Sequence, residues 1–540
     1  MSTRNVYQSA GIASSTAWMF GYGTGYIGGI LVLPSFSHHF DLDGRSPHDR
    51  AAVQSLIVSI WLLGAFFGVL CAQPVCARLG RRRCLVVCAA IYTAGVVLQL
   101  LSVTEPESSV TVNLGIFELG RLLSGAGVGV GTLVAPLYIT EISLPWQRGM
   151  LHASWQVAMQ IAALVGFWGA YVSNGLFPDT SDWQWTVPVL LQVLPGIILL
   201  VGGIALLPES PIWLAEQQQV ETAIKTHAWL HHGGNHDITA STCSSPDATS
   251  QEEVVFYRSI SDRKQHATSS KQQDQLRALF RPSVRKRLVR GVVLMALMTL
   301  SGTNALNFFA PVIFMSAGFT ATGASLLLTG LFGLVKLAAA LSFMLYFVRV
   351  RGHRFWISVS AAACAASLLV LALCVKTFEH RSGKAESAST TYGAVACLMV
   401  FVFAFFFGIG HGPIAWSFCA EVFPADVSTL CCTVTTCTQW LFQVINAVAT
   451  PFLLAAAGWR TWLLFSAVNA ITLGWCYVYL PETRGVALGR AMDEVFGDEI
   501  GGLSSRVAVK AGRVVVVVRE DERAIPTEET SLLAEDRSQC

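Results

Sequence analysis

Residues 113–142 read NLGIFELGRLLSGAGVGVGTLVAPLYITEI. Within 113–140 only Glu118 and Arg121 are charged. A helix rises about 1.5 Å per residue, so this run is long enough to cross a hydrocarbon core about 30 Å thick. Glycines at 125, 127, 129 and 131 strip one side of the helix of side chains. Such a side lets a second helix approach closely, and it serves tight packing or sliding equally well.

The same kind of run recurs along the chain. Spans are expected near 12–36, 52–74, 84–103, 113–140, 150–173, 187–207, 289–316, 322–348, 355–375, 392–418, 428–456 and 461–480. Of 540 residues, 53% are hydrophobic and only 13% charged, with a mean hydropathy of +0.53. Soluble chains carry about 25% charged residues, so several water-exposed domains are excluded. Disorder fails on the same figures, and 36 Lys and Arg against 34 Asp and Glu is no basic excess for nucleic acid. The expected fold is an all-α integral membrane bundle of twelve helices.

Most of the 14 cysteines, such as Cys71, Cys88, Cys364 and Cys432, lie in or beside apolar runs, where a thiol acts as a small hydrophobe; Cys243 and Cys540 fall in polar segments. None has metal-ligand spacing, and no metal or other cofactor is expected. The first apolar stretch, 11–36, is too long for a cleaved signal and reads as a retained span. The organisation is then a short N-terminus (1–11), a six-helix half (12–207), a polar linker (208–288), a second half (289–480) and a tail (481–540). The Ser/Thr/Gln/His-rich part, 233–275, reads as flexible. With termini and linker on one side, that side holds 28 of the 36 Lys and Arg. The positive-inside rule makes it cytoplasmic. The basic run 281–290 is expected at anionic headgroups.

An internal repeat supports two halves. Gly80-Arg81-Arg82 has a counterpart in Gly352-His353-Arg354, 272 residues on. Glu141-Ile142 recurs as Glu421-Val422 after 280, and Pro208-Glu209-Ser210 as Pro481-Glu482-Thr483 after 273. Paired halves place a substrate site at their interface, near the bilayer midplane.

These marks resemble the sugar porter family of the major facilitator superfamily, from about Phe20 to Leu488. The resemblance rests on the Gly120-Arg121 to Arg148-Gly149 block, Pro208-Glu-Ser-Pro-Ile-Trp-Leu214, Gly302-Thr-Asn304, Gly412-Pro-Ile-Ala-Trp416, Glu421-Val-Phe-Pro424 and Pro481-Glu-Thr-Arg-Gly485. Val165-Gly-Phe-Trp168 and Gly333-Leu-Val-Lys336 are similar to fungal quinate permeases within the family.

The resemblance implies transport of a sugar, polyol or related polyhydroxy compound by alternating access. A quinate-type acid permease and a non-transporting nutrient sensor on the same fold are the alternatives. No enzymatic function is implied, and the chain is expected to be monomeric. The implied substrate residues are Gln156, Gln160, Asn304, Trp416, Gln439 and Gln443. Amides suit hydroxyl-rich ligands because each offers donors and an acceptor, although amides also bond between helices. Lys336, an intramembrane cation, is expected either to meet a substrate carboxylate or to pair within the bundle.

Charges at the cytoplasmic helix ends, Arg81, Arg82, Glu141, Arg148, Glu209, Glu421 and Glu482, are expected to form gate pairs or to remain solvated loop charges. Several family features differ here. Met298 and Thr299 stand where glutamines are usual, Phe308-Phe309 replace tyrosines, and Ala77, Arg349 and Ser428 replace gate charges. Proton-coupled relatives have an Asp where Gly23 stands, paired with the arginine at 121. Glu118, three residues before Arg121, is the substitute partner expected if protons are coupled; facilitated diffusion is the other expectation. The membrane is expected to be the plasma membrane, or a vacuolar or endosomal one if Glu528-Glu-Thr-Ser-Leu-Leu533 acts in sorting. Val514–Val518 is too short to span and reads as low-complexity.

Overall fold

A computed structural model describes residues 4–103, 110–232, 258, 277, 279–316, 321–347, 350–381, 386–423, 427–482, 506–510 and 513–517. The expected linker at 233–275 and the sorting string at 528–533 lie outside these residues, apart from the single position 258. Residues 1–482 form one compact unit, which contains all the spans. In the tail, Arg506–Lys510 pairs antiparallel with Arg513–Val517, so the valine run belongs to a two-stranded ribbon. β-branched residues favour extended backbone.

Eleven helices among the described residues are long and apolar enough to cross a membrane. The remaining expected span, span one, corresponds to Ser15–Ile30. The helix Arg4–Ala13 precedes it across a break at Ser14, whose Oγ donates to the Ala10 carbonyl at 2.7 Å, and Asn5 of that helix donates to the Trp229 carbonyl at 2.7 Å. Large apolar side chains such as Phe67, Val201 and Ile471 are exposed on the outer surface, where lipid would cover them. Helices generally overrun their apolar cores: span four runs Val110–Ile142 and span five Pro145–Leu176. Span one instead stops at Ile30, and the expected run to 36 continues into a separate short helix, Pro34–His39. Pro34 starts that helix because a proline at the first position needs no N–H partner.

The glycine-rich side of span four is a packing surface within the first half. Side-chain carbons built on Gly125 and Gly129 would run into the carbonyls of Trp61 and Ala65 on span two. Gly64 and Gly68 of span two face the Leu122 and Ala126 carbonyls of span four in return. Gly120 and Gly127 turn instead to span three, at Gly95 and Tyr92. Gly129→Ala is therefore expected to cost about 1–3 kcal/mol, because the obstacle is backbone and cannot rotate away. A fluorescence-detected thermal melt of purified protein checks this.

Two spans of the second half are broken. Span seven consists of Pro282–Leu300 and Thr303–Ser316, with Gly302 between them at φ +98°, a conformation that glycine adopts freely. Pro311 crowds the carbonyl four residues back, and the helix kinks again at Phe309 (φ −119°, ψ 15°). Span ten is Glu386–Ile409 followed by His411–Glu421.

The repeat is visible in three dimensions. The Glu209 carboxylate accepts from the backbone N–H groups of Arg81 (2.8 Å) and Arg82 (3.0 Å), capping span three. The Glu482 carboxylate does the same for His353 (2.9 Å) and Arg354 (3.3 Å) at the start of span nine. Arg82 donates to the Gly203 and Ile204 carbonyls at the end of span six. Arg354 donates to the Tyr477 carbonyl at the matching end of span twelve. In each half an acid therefore supplies the acceptor that a helix N-terminus lacks.

Candidate functional site

The two halves meet through small residues and rings. Gly28 of span one lies against the Phe308 and Asn307 carbonyls of span seven. Ser55 Oγ of span two lies 3.4 Å from the Ala447 and Val448 carbonyls of span eleven. Gly333 of span eight faces Phe167 and Leu164 of span five, where an added side-chain carbon would have no room. Deeper in the bundle, Trp440 of span eleven meets Phe20 at 5.1 Å and Trp61 at 6.0 Å between ring centroids.

Around this junction the structure gathers several of the expected residues. Gln160 follows Met159, whose carbonyl abuts Gly21, and Gly21 follows Phe20 on the Trp440 ring. Gln439 and Gln443 flank Trp440 and are buried. Asn304 sits one turn before Asn307, and the Asn307 Oδ1 accepts from Lys336 Nζ at 2.9 Å. Lys336 is one turn from Gly333, and Gln160 is one turn from Leu164 in the same direction across the membrane. The buried Gln160 Oε1, Asn304 Nδ2 and Gln439 Oε1 have no hydrogen-bond partner among the described residues. Buried amide atoms are usually paired, so these three suit a polar ligand.

Gln156 is partly exposed on the same helix as Gln160. Trp416 is also partly exposed and makes no ring contact among the described residues. Asn307 was not expected from the sequence, although its i+3 spacing from Asn304 is a usable signal.

Arg121 is fully buried and is not paired with Glu118. Its Nη1 donates to the Tyr26 hydroxyl (3.0 Å), its Nε to the Ile57 carbonyl (3.3 Å), and the guanidinium lies over the Trp61 ring at 5.2 Å. Tyr26 in turn donates to Gln99 Oε1 at 3.1 Å. The Glu118–Arg121 coupling pair is thus not formed here. Arg121 points to spans one and two, while Glu118 is only half-buried, with its Oε1 unpartnered among the described residues.

Arg81 and Glu141 form a buried ion pair at 2.7 Å, spans three and four of the same half. With the Glu209 and Glu482 caps, these contacts tie helices together within a half. Helices carry the Arg148 and Glu421 positions, but their side chains lie outside what is described.

Twelve spans in two repeated halves, with broken helices and orphan amides at the interface, define a membrane transporter of the major facilitator superfamily. The chain belongs to the sugar (and other) transporter family, whose sequence pattern matches residues 10–496. Its relatives include the MFS-type transporter qa-x of Neurospora crassa, 30% identical over 91% of this chain and 88% of that protein. A probable quinate permease of Neosartorya fischeri is 30% identical over 96% and 91%. The proton:xylose symporter XylE bound to 6-bromo-6-deoxy-D-glucose superposes with a TM-score of 0.73 at 19% identity, covering 92% of this chain and 100% of that one. The inward-open conformation of the E. coli xylose transporter XylE gives 0.69 at 19% identity, over 91% and 99%.

Proposed function

We propose that this transporter carries a cyclic polyhydroxy acid of the quinate type by alternating access, with its termini in the cytoplasm and its plasma membrane as the site of action. The observation that carries the reading is Lys336: a cation held at 2.9 Å from Asn307, which lies one helical turn from Asn304, whose Nδ2 has no hydrogen-bond partner among the described residues. A ligand with hydroxyls and one carboxylate satisfies both kinds of group, whereas a neutral hexose leaves the cation uncompensated. The relatives named as quinate permeases support the same choice. The junctions at Gly28, Ser55 and Trp440 support a state closed on the side away from the termini.

Radiotracer uptake by a transport-null host, over hexoses, polyols and quinate, tests the reading. Saturable quinate uptake is the expected result. Uptake of neutral sugars or polyols alone would return the substrate to the neutral polyhydroxy class. No uptake of any compound despite surface expression would instead favour a sensor.

A further inference from the structure

Arg121 lies in the membrane interior with no exposure and no carboxylate bonded to it among the described residues. The group that occupies the adjoining space is an indole. A side-chain carbon on Gly23 would meet Cζ2 of Trp61 at 2.7 Å, so Trp61 fills the volume into which residue 23 would project. The same ring lies under the Arg121 guanidinium at 5.2 Å, with the Tyr26 ring at 5.8 Å. An aromatic face attracts a desolvated cation, and the attraction grows where water is excluded.

Trp61 also reaches the other half. Its ring meets Trp440 at 6.0 Å and Phe20 at 6.3 Å, and Phe20 meets Trp440 at 5.1 Å. Neither Trp61 Nε1 nor Trp440 Nε1 has a hydrogen-bond partner among the described residues. The stack is therefore held by ring contacts, and it parts without breaking an indole hydrogen bond.

The groups around Arg121 are mostly non-titrating at physiological pH. Span one offers Tyr26, with Tyr22 stacked on it at 5.5 Å. Span two offers Trp61 and the Ile57 carbonyl, span three Tyr92 and Gln99, and span six Gln192. The one carboxylate on the same helix, Glu118, makes no bond to the guanidinium.

We propose that Trp61 stands in place of an acid beside Arg121 and, through Trp440, joins this buried cation to the contact between the halves, so that the halves separate without a titrating step. Trp61 is a positioning residue on this view. The proposal rests on the alternating-access reading, and its test uses no substrate.

Cysteines are placed at Ser55 and Val448, which touch across the halves at 3.4 Å. A protease site goes into 233–275, and a short thiol cross-linker is applied in native membranes, with single-cysteine controls for the endogenous thiols. Joined halves then migrate together after cleavage. Yield is taken relative to a cysteine pair within one half treated at the same pH, because the thiolate population that reacts is itself set by pH; on that scale it is expected to be equal at about pH 5.5 and about pH 8. It falls at least about fivefold in Trp440→Leu and is largely kept in Trp440→Phe. Gly23→Asp/Trp61→Ala is expected to make the yield depend on pH. A parent yield that changes with pH relative to that control pair overturns the proposal. So does Trp440→Leu at full yield in protein that runs as a single gel-filtration peak. Because no substrate enters, a failed uptake panel and a failed cross-link remain separate results.

Discussion

Lys336→Met is expected to weaken uptake of a carboxylate-bearing substrate by about 10–100-fold while leaving a neutral polyol within about twofold. Losing a hydrogen bond to a charged group costs about 1.5–3 kcal/mol, and 1.4 kcal/mol corresponds to a factor of ten. The ammonium is held by Asn307 at 2.9 Å and lies 5.6 Å from the centre of the Phe332 ring. A lone cation in the hydrocarbon region is costly, and a bound carboxylate would offset that cost each time the site fills. Methionine preserves the length and the contact with Phe332 but carries no charge. Lys336→Arg keeps the charge and is expected to retain most acid transport. The measurement is the concentration dependence of radiolabelled quinate and of a neutral cyclitol in the same membranes. Equal losses for both compounds would mean that Lys336 only packs, and would overturn the carboxylate assignment.

The spans were legible because lipid demands long apolar runs, and ends were misplaced where helices continue into polar surroundings. Span one shows the opposite error: apolar residues 31–36 continue past the helix because Pro34 begins a new one. The break at Gly302 was not read, since a glycine in an apolar run is compatible with an unbroken helix until its φ is known.

In the site, residue type was more readable than partner. Arg121 stood out as an intramembrane charge, but its ligands come from spans one and two, far away in sequence and mostly neutral. Choosing Glu118 by i−3 spacing considered only one helix. Trp61 and Trp440 read as ordinary apolar residues, because nothing in a one-dimensional pattern says which rings will meet across the halves. The acids at the helix ends were readable as important yet not as caps. Their acceptors are used by backbone N–H groups, which every sequence has.

Arg81→Met is expected to destabilise the first half by about 3–5 kcal/mol, whereas Arg81→Met/Glu141→Leu recovers most of that loss. Arg81 and Glu141 join at 2.7 Å with side chains only 8% and 6% exposed. Burying two charges costs several kcal/mol each, and their attraction in a low-dielectric site only about balances it. Removing the arginine alone leaves the carboxylate without water or counter-charge; removing both leaves an apolar contact of similar volume. The Glu209 cap separates the two effects, because it bonds the backbone N–H of Arg81 and survives the substitution of the side chain. Urea or thermal unfolding of purified protein, followed by tryptophan fluorescence, should therefore show strong non-additivity in the cycle. Additive losses from Arg81→Met and Glu141→Leu would mean that each charge serves a separate partner, and the pair would then be no more than a neighbourly contact.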